Sequence, residues 1–178
     1  MIAPVFVDAN VLVYLRDATN AVKQSRAAEW MDRLWRERSG RTSMQVLSEF
    51  YVTATRRLRP VISNQIAWSF VDSLLAWQPQ PIDAMLLRRA REIEMRHRLS
   101  WWDSMVVAAA QLQDCAVLLT EDLQDGATFG NVTVRSPFTL AVEESRGKYE
   151  VPSIALRHPA RGRPRKRRAS LSASAAGR

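Results

Sequence analysis

One cysteine, Cys115, and two histidines, His97 and His158, are the only thiol and imidazole side chains in 178 residues. A lone cysteine excludes an internal disulfide, a four-cysteine zinc site and an iron–sulfur cluster. With the two histidines far apart, any metal site must be built mostly from oxygen, which favours Mg²⁺ or Mn²⁺ over zinc. No apolar run approaches the ~18–20 residues that span a bilayer. The N-terminal apolar stretch follows no basic segment and is broken by Asp8 and Asn10, which is unlike a signal peptide. The expectation is a cytoplasmic protein with no membrane partner, consistent with the unpaired thiol. Neither GxxxxGK[ST] nor GxGxxG occurs, so phosphate-cradling nucleotide sites have no support. Internal repeats are also missing.

Acid is missing from one region in particular. The net charge of +8 arises entirely in the last 22 residues, which hold eight basic side chains and no carboxylate, whereas residues 1–156 balance 18 Lys and Arg against 18 Asp and Glu. The domain itself is neutral, so its overall pI says nothing about what the folded part binds. The length fits one domain, expected over residues 1–150. Residues 151–178 read as a basic, disordered tail, with "RGRPRKRR" its densest part.

Val5–Val7 read as a short buried strand ending at Asp8, and a short helix is expected over Val11–Arg16. Helical periodicity covers Asn20–Arg38, with Gly40 as its stop. Thr42 or Ser43 is placed to cap a helix ending near Pro60. A further helix lies in "SNQIAWSFVDSLLAW", and "QPQPID" forms a connector with a short extended edge. Asp83 caps the next helix, and Ser100, with Asp103 at capping-box spacing, opens a nearly continuous apolar one. "AVLLT" and "NVTVRS" are strands separated by the polar turn "EDLQDG". The order implies an α/β/α arrangement, a small parallel sheet flanked by helices.

Two strands end in carboxylates, Asp8 after "VFV" and Asp122 just past Thr120, with Asp125 slightly further on. If those strands are parallel neighbours, Asp8 and Asp122 meet at the carboxyl edge where α/β folds bind ligands. Glu49 sits at the margin of an apolar helix face and Asp103 in the first turn of another. Acids at half-buried positions are costly unless paired or metal-bound. Four gathered carboxylates repel, and a pair of divalent cations about 3.5–4 Å apart would neutralise them and activate a water for phosphodiester cleavage. Each acid also has an ordinary structural use: Asp8 as a turn or cap, Asp103 with the helix dipole, Glu49 paired to Arg56 or Arg57, Asp122 and Asp125 in a loop. Asn10 and Thr120 serve either local backbone or the support of the carboxylates.

The segments "FVDANVLVYLRD", "TSMQVLSEFYVTATRR", "SWWDSMVVAAAQLQDCAVLLTEDLQDG" and "NVTVRSPF" together resemble PIN-domain proteins, specifically the toxin half of VapBC-type toxin–antitoxin pairs. They span about residues 3–138 in the family's order. The resemblance implies an α/β/α fold and a Mg²⁺- or Mn²⁺-dependent endoribonuclease. It also implies an RNA substrate, a small cognate antitoxin and commonly a homodimer. By that resemblance Asp8, Glu49, Asp103 and Asp122 are the catalytic and metal-binding acids, with Asp125 an additional candidate ligand and Asn10 and Thr120 in support. Ala9 departs from the usual Thr or Ser, and the basic tail lies outside the family pattern.

The rival reading is a non-catalytic nucleic-acid or partner-binding module with structural acids. A phosphatase using Asp8 as nucleophile has less support, because Asn10 stands where a second aspartate is needed and no lysine lies near the other motifs. Arg56, Arg57 and Arg59, and Arg88, Arg89 and Arg91, are candidate RNA contacts but also ordinary solvated helix charge. Trp101 and Trp102 suit packing better than base stacking. Cys115 reads as a small hydrophobe, and His97 has no catalytic partner in sequence. The tail is suited to salt-sensitive contact with a polyanion.

Overall fold

In the computed structural model, which describes residues 3–139, Val5–Val7 form strand β1 with Phe6 and Val7 fully buried. β1 is buried because it has a neighbour on each edge. β2 (Gly40–Arg41) and β3 (Val117–Leu119) both run parallel to it. β5 (Val132–Arg135) extends the sheet parallel to β3, and β4 (Thr128–Phe129) ends it antiparallel to β5, giving the order β2-β1-β3-β5-β4. The sheet is therefore mixed rather than parallel throughout. Phe129 lies opposite Val132, and the two-residue turn between them begins at Gly130, whose φ of 64° suits the first central position of a II′ hairpin. The stretch between the expected polar turn and the last strand thus adds one short edge strand.

Among the described residues six α-helices surround this sheet: α1 (Ala9–Arg16), α2 (Ala21–Glu37), α3 (Met44–Arg56), α4 (Asn64–Leu74), α5 (Ala84–His97) and α6 (Trp101–Leu112). Side chains cap most of them as the sequence implies. Ser43, rather than Thr42, accepts from the Val46 N–H, Asp83 from Leu86 and Ser100 from Asp103. Thr42 is buried and donates to the Val7 carbonyl. Gly40 does not stop α2. Arg38 does so in the left-handed region at φ 54°, and Gly40 instead opens β2 against Trp77, where a Cβ would lie 2.4 Å from the indole. Gln80 bridges Ser43, so the Pro-rich connector does contain the short extended edge expected of it.

α1 packs on α2 and α3, α3 on α4, and α5 on α6, which in turn contacts β3 and β5. The run Ser104–Ala110 of α6 is buried without interruption, as a helix enclosed on several sides must be. Phe6, Leu12, Leu118 and Leu119 are fully buried in the same core, each burial worth about 1.5–3 kcal/mol. Among the described residues no helix is long and apolar enough to cross a membrane. The expected domain boundary at 150 and the tail beyond it lie outside the described residues.

Candidate active site

The pairing of β1 with β3 sets Val7 beside Leu119, so the residues that follow, Asp8 and Thr120, leave the sheet together at its carboxyl edge. The Asp8 N–H donates to the Leu119 carbonyl at 3.1 Å, which extends the ladder one residue past the strand. Asp8 then caps α1, its Oδ1 accepting from the Ala9 N–H at 2.7 Å. The cap reading of this residue is therefore met. Its other oxygen accepts from the Thr120 hydroxyl at 2.7 Å. Asp8 is only 7% exposed.

Asn10, the second residue of α1, ties the surrounding groups together. Its amide nitrogen lies 2.8 Å from Thr120 Oγ1, 3.1 Å from Asp122 Oδ2 and 3.3 Å from Asp8 Oδ2. The Asp122 N–H in turn donates to Thr120 Oγ1 at 3.1 Å. Thr120 thus donates to one aspartate and accepts from both Asn10 and the backbone of the other, which consumes its whole hydrogen-bonding capacity. These bonds fix Asp8 and Asp122 across 114 residues of sequence.

Glu49 on α3 and Asp103 on α6 face the same region from two further elements. Burial raises the Asp8 carboxyl to about 7, against the Thr120 and Ala9 hydrogen bonds that lower it, and the charges of Asp122 and Glu49 add to the rise. Partial desolvation also raises Glu49, reinforced by Asp122 and Asp103 and opposed by Arg57. The four acids therefore share one electrostatic neighbourhood, with Asp8 as its buried floor. The sequence suggests half-buried positions for both helix acids; in the structure Asp103 is half-buried, but Glu49 and Asp122 are exposed. Ser100 holds Asp103 by donating to its carboxylate at 2.7 Å while accepting from its N–H.

Asp125 is engaged elsewhere. Its Oδ1 accepts from the Ser136 N–H at 2.9 Å and lies 3.4 Å from Arg135, which secures the end of β5. The sequence reading also passes over Lys23 and Glu121. Lys23 on α2 donates to Glu121 and to the Tyr14 hydroxyl, and sits 4.2 Å above the Tyr14 ring. Burial alone would lower its ammonium, but those bonds outweigh it and hold the pKa above the usual range. The knot restrains the residue adjoining Asp122. No local pattern announces it, because residues 98 positions apart meet only through the fold.

The donor set is all oxygen, the chemistry that Mg²⁺ and Mn²⁺ prefer. Asn10 Oδ1 is buried without a hydrogen-bond partner, an orphaned acceptor on the residue whose Nδ2 meets Asp8 and Asp122. Among the described residues no three His, Cys, Asp or Glu side chains group as ligands of one ion. Mg²⁺ is ordinarily held by one or two carboxylates plus water and substrate oxygens, so the set fits that mode rather than an all-protein cage.

Other candidates take structural places. Trp101 packs against the core, whereas Trp102 is 64% exposed. Cys115 is buried, its thiol pushed up to about 12 by desolvation, which leaves an inert hydrophobe. His97 lies edge-on to Phe129, held below its usual pKa by burial and by Arg96.

No curated protein matches the chain. Among solved structures, the Mycobacterium tuberculosis VapC20, described as a sarcin-ricin loop cleaving toxin, is similar at 21% identity and a TM-score of 0.48, over 64% of this chain and 86% of that one. The family described as PIN domain matches residues 5–124, which include β1, β3, Asp8, Glu49, Asp103 and Asp122. The chain belongs to the PIN-domain family.

Proposed function

We propose that this protein is a divalent-metal-dependent endoribonuclease and the toxin of a VapBC-type pair, with Asp8, Glu49, Asp103 and Asp122 as its catalytic acids. The observation that carries the reading is a buried aspartate, Asp8, whose carboxyl is raised to about 7 and which lies within electrostatic reach of Asp122 and Glu49, with Asp103 in turn acting on Glu49. A protein gains nothing in stability from such an arrangement, since clustered like charges destabilise one another. It gains a cation site.

Mg²⁺ or Mn²⁺ bound there would supply Lewis acidity and a water of lowered pKa. Asp8 and Asp122 would hold it, with Glu49 and Asp103 contributing directly or through water. The chain's own part is positioning. Ala9 N–H and the Thr120 hydroxyl fix the two oxygens of Asp8, Asn10 spaces Asp8 from Asp122, and Ser100 fixes Asp103. Preset orientation of this kind spares reorganisation when charge develops on the phosphodiester. Glu49, exposed and raised in pKa, is suited to taking a proton from an attacking water. In the same reading RNA is the substrate, a small cognate antitoxin closes the site, and two copies form a homodimer. The chain would act in the cytoplasm.

The alternative is a binding module whose acids are structural. It draws on the fact that no three acidic side chains group around one point among the described residues. Incubation of structured RNA with wild type and Asp103→Asn, with Mg²⁺, Mn²⁺ or EDTA, separates the two. The nuclease reading expects cleavage by wild type only with metal, reduced on the order of 100-fold or more in the variant. Cleavage that persists in EDTA or is indifferent to Asp103→Asn would sink it.

A further inference from the structure

A cation held by the acids would neutralise the phosphate being cut, but the phosphates on either side of it would still face carboxylates. Affinity for a nucleic-acid strand rests mainly on cations set against its phosphates. The sequence offers two groups of arginines for that role, at the end of α3 and on α5, and the structure separates their members. Arg89 and Arg91 are paired with Glu92 and Glu94. Arg59 donates to the Leu58 carbonyl at 3.1 Å. Arg56, Arg57 and Arg88 are exposed, and among the described residues none of the three stands in an ion pair.

Of these three, Arg57 is the one whose charge acts on an acid of the site. It opposes the rise in the Glu49 pKa, whereas at Asp8 the opposing groups are hydrogen-bond donors and not cations. The helix explains how. Arg57 is the C-cap of α3, in the right-handed helical region, and follows Glu49 by eight residues, about 12 Å along the axis. Side chains lean toward the N-terminus of their helix, so a long one at this end leans back toward Glu49. The two charges interact without contact, since neither an ion pair nor a hydrogen bond joins them. The guanidinium N–H donors are thereby left for an anion from outside. A cation here also suits the helix dipole, but Arg56 in the last turn serves that purpose equally.

We infer that Arg57 is a substrate-binding residue of the proposed nuclease, its guanidinium holding an RNA phosphate that flanks the one cleaved at the acids, without regard to base. The inference rests on RNA being the substrate, but it concerns binding and not the chemical step.

The test follows a labelled single-stranded RNA on the full-length chain in two ways: anisotropy in EDTA across a KCl series, and multiple-turnover cleavage in Mn²⁺. Wild type is compared with Arg57→Gln, Arg57→Lys and Arg88→Gln, the last removing an equal charge from α5. The Arg57 N–H reaches the Thr53 carbonyl through backbone alone, so the end of α3 is kept in the variants. Arg57→Gln lowers the slope of log K against log salt by about 0.7, the share of one single-strand phosphate contact. It raises KM about tenfold and leaves kcat within about twofold, because a phosphate that does not react is held equally in ground and transition states. Arg57→Lys retains the wild-type slope, since the point charge is kept, and Arg88→Gln alters neither quantity. A slope in Arg57→Gln no different from that in Arg88→Gln overturns the inference. So does a fall in kcat with KM unchanged, which would make Arg57 a modulator of Glu49 and not a ligand of RNA. The two readings fail separately. RNA that binds with the Arg57-dependent slope but is never cut refutes the nuclease and leaves the contact standing, whereas metal-dependent cleavage indifferent to Arg57→Gln refutes the contact and leaves the nuclease.

Discussion

Asp8→Asn is expected to stabilise the metal-free protein at alkaline pH and to destabilise it under acid conditions. The Asp8 carboxyl titrates near 7 in the folded chain because it is buried, against 3.8 when exposed. Below about pH 4 both folded and unfolded chains hold the proton, and the site has no cost. As pH rises toward 7 the unfolded chain ionises first, so folding is progressively penalised, by about 4 kcal/mol once both forms are charged. Asparagine escapes that penalty and keeps the acceptor for the Ala9 N–H. Its new NH₂ must face Asn10 Nδ2 and the Thr120 hydroxyl, now 3.3 and 2.7 Å from Asp8 Oδ2, at a cost of about 1–3 kcal/mol. The net at about pH 8 is a gain near 2 kcal/mol, or about 4–8 °C in Tm for a domain of this size. At about pH 4 only the hydrogen-bond cost remains, and the variant is the less stable. Thermal unfolding by circular dichroism with EDTA, from acid to alkaline pH, reads the crossover. Mn²⁺ added at alkaline pH should raise Tm of wild type and not of the variant. A variant that is less stable by the same amount at every pH would refute the account of Asp8 as a buried, electrostatically costly carboxyl.

Thr120→Val removes the donor to Asp8 and the acceptor for Asn10 and the Asp122 N–H; denaturant unfolding should show a loss of about 2–4 kcal/mol, and RNA cleavage should fall with it. Lys23→Met frees Glu121 from α2, with a stability change of about 1 kcal/mol or less because the pair is partly exposed; a larger fractional loss in cleavage than in folded protein is expected, and equal losses would show that the knot is only structural. Gly40→Ala drives a Cβ into the buried, Trp35-backed ring of Trp77, which should destabilise by about 1–3 kcal/mol on urea titration. Cys115 should resist a thiol reagent in the native state at neutral pH, since burial keeps it protonated; labelling at a rate matching the unfolded chain would contradict its placement.

Some features of this protein follow from short-range chemistry and were legible in the sequence. Ser43, Asp83 and Ser100 cap helices because their side chains reach an N–H three residues on. The buried run of α6 follows from its unbroken apolar stretch, and the strand at Val5–Val7 from the two aromatic and β-branched residues that it buries. Likewise the candidate acids were visible as carboxylates set at the ends of strands or on the margins of apolar helices. Two-residue strands carry too little periodicity to be seen, so β2 and β4 emerged only when β1 and β5 offered partners. Gly40 read as a helix stop because glycine often is one; the Trp77 ring packed on it gives the actual reason for the residue.

What sequence by itself determined here is composition and local bonding: a ligand inventory dominated by oxygen, a neutral domain with its excess charge in the last 22 residues, and the helices with their caps. The tertiary structure alone decided which acids meet. Asp8 and Asp122 are joined through Thr120 and Asn10, whereas Asp125, three residues from Asp122, is turned away to Ser136 and Arg135. It also decided that Asp8 is buried while Glu49 is exposed, and that Lys23 reaches Glu121. The physical reason is range. A cap is closed by neighbours within one turn of chain, but a carboxylate's pKa and partners are set by whatever the sheet register and helix packing bring within a few ångströms, and that depends on residues a hundred positions away.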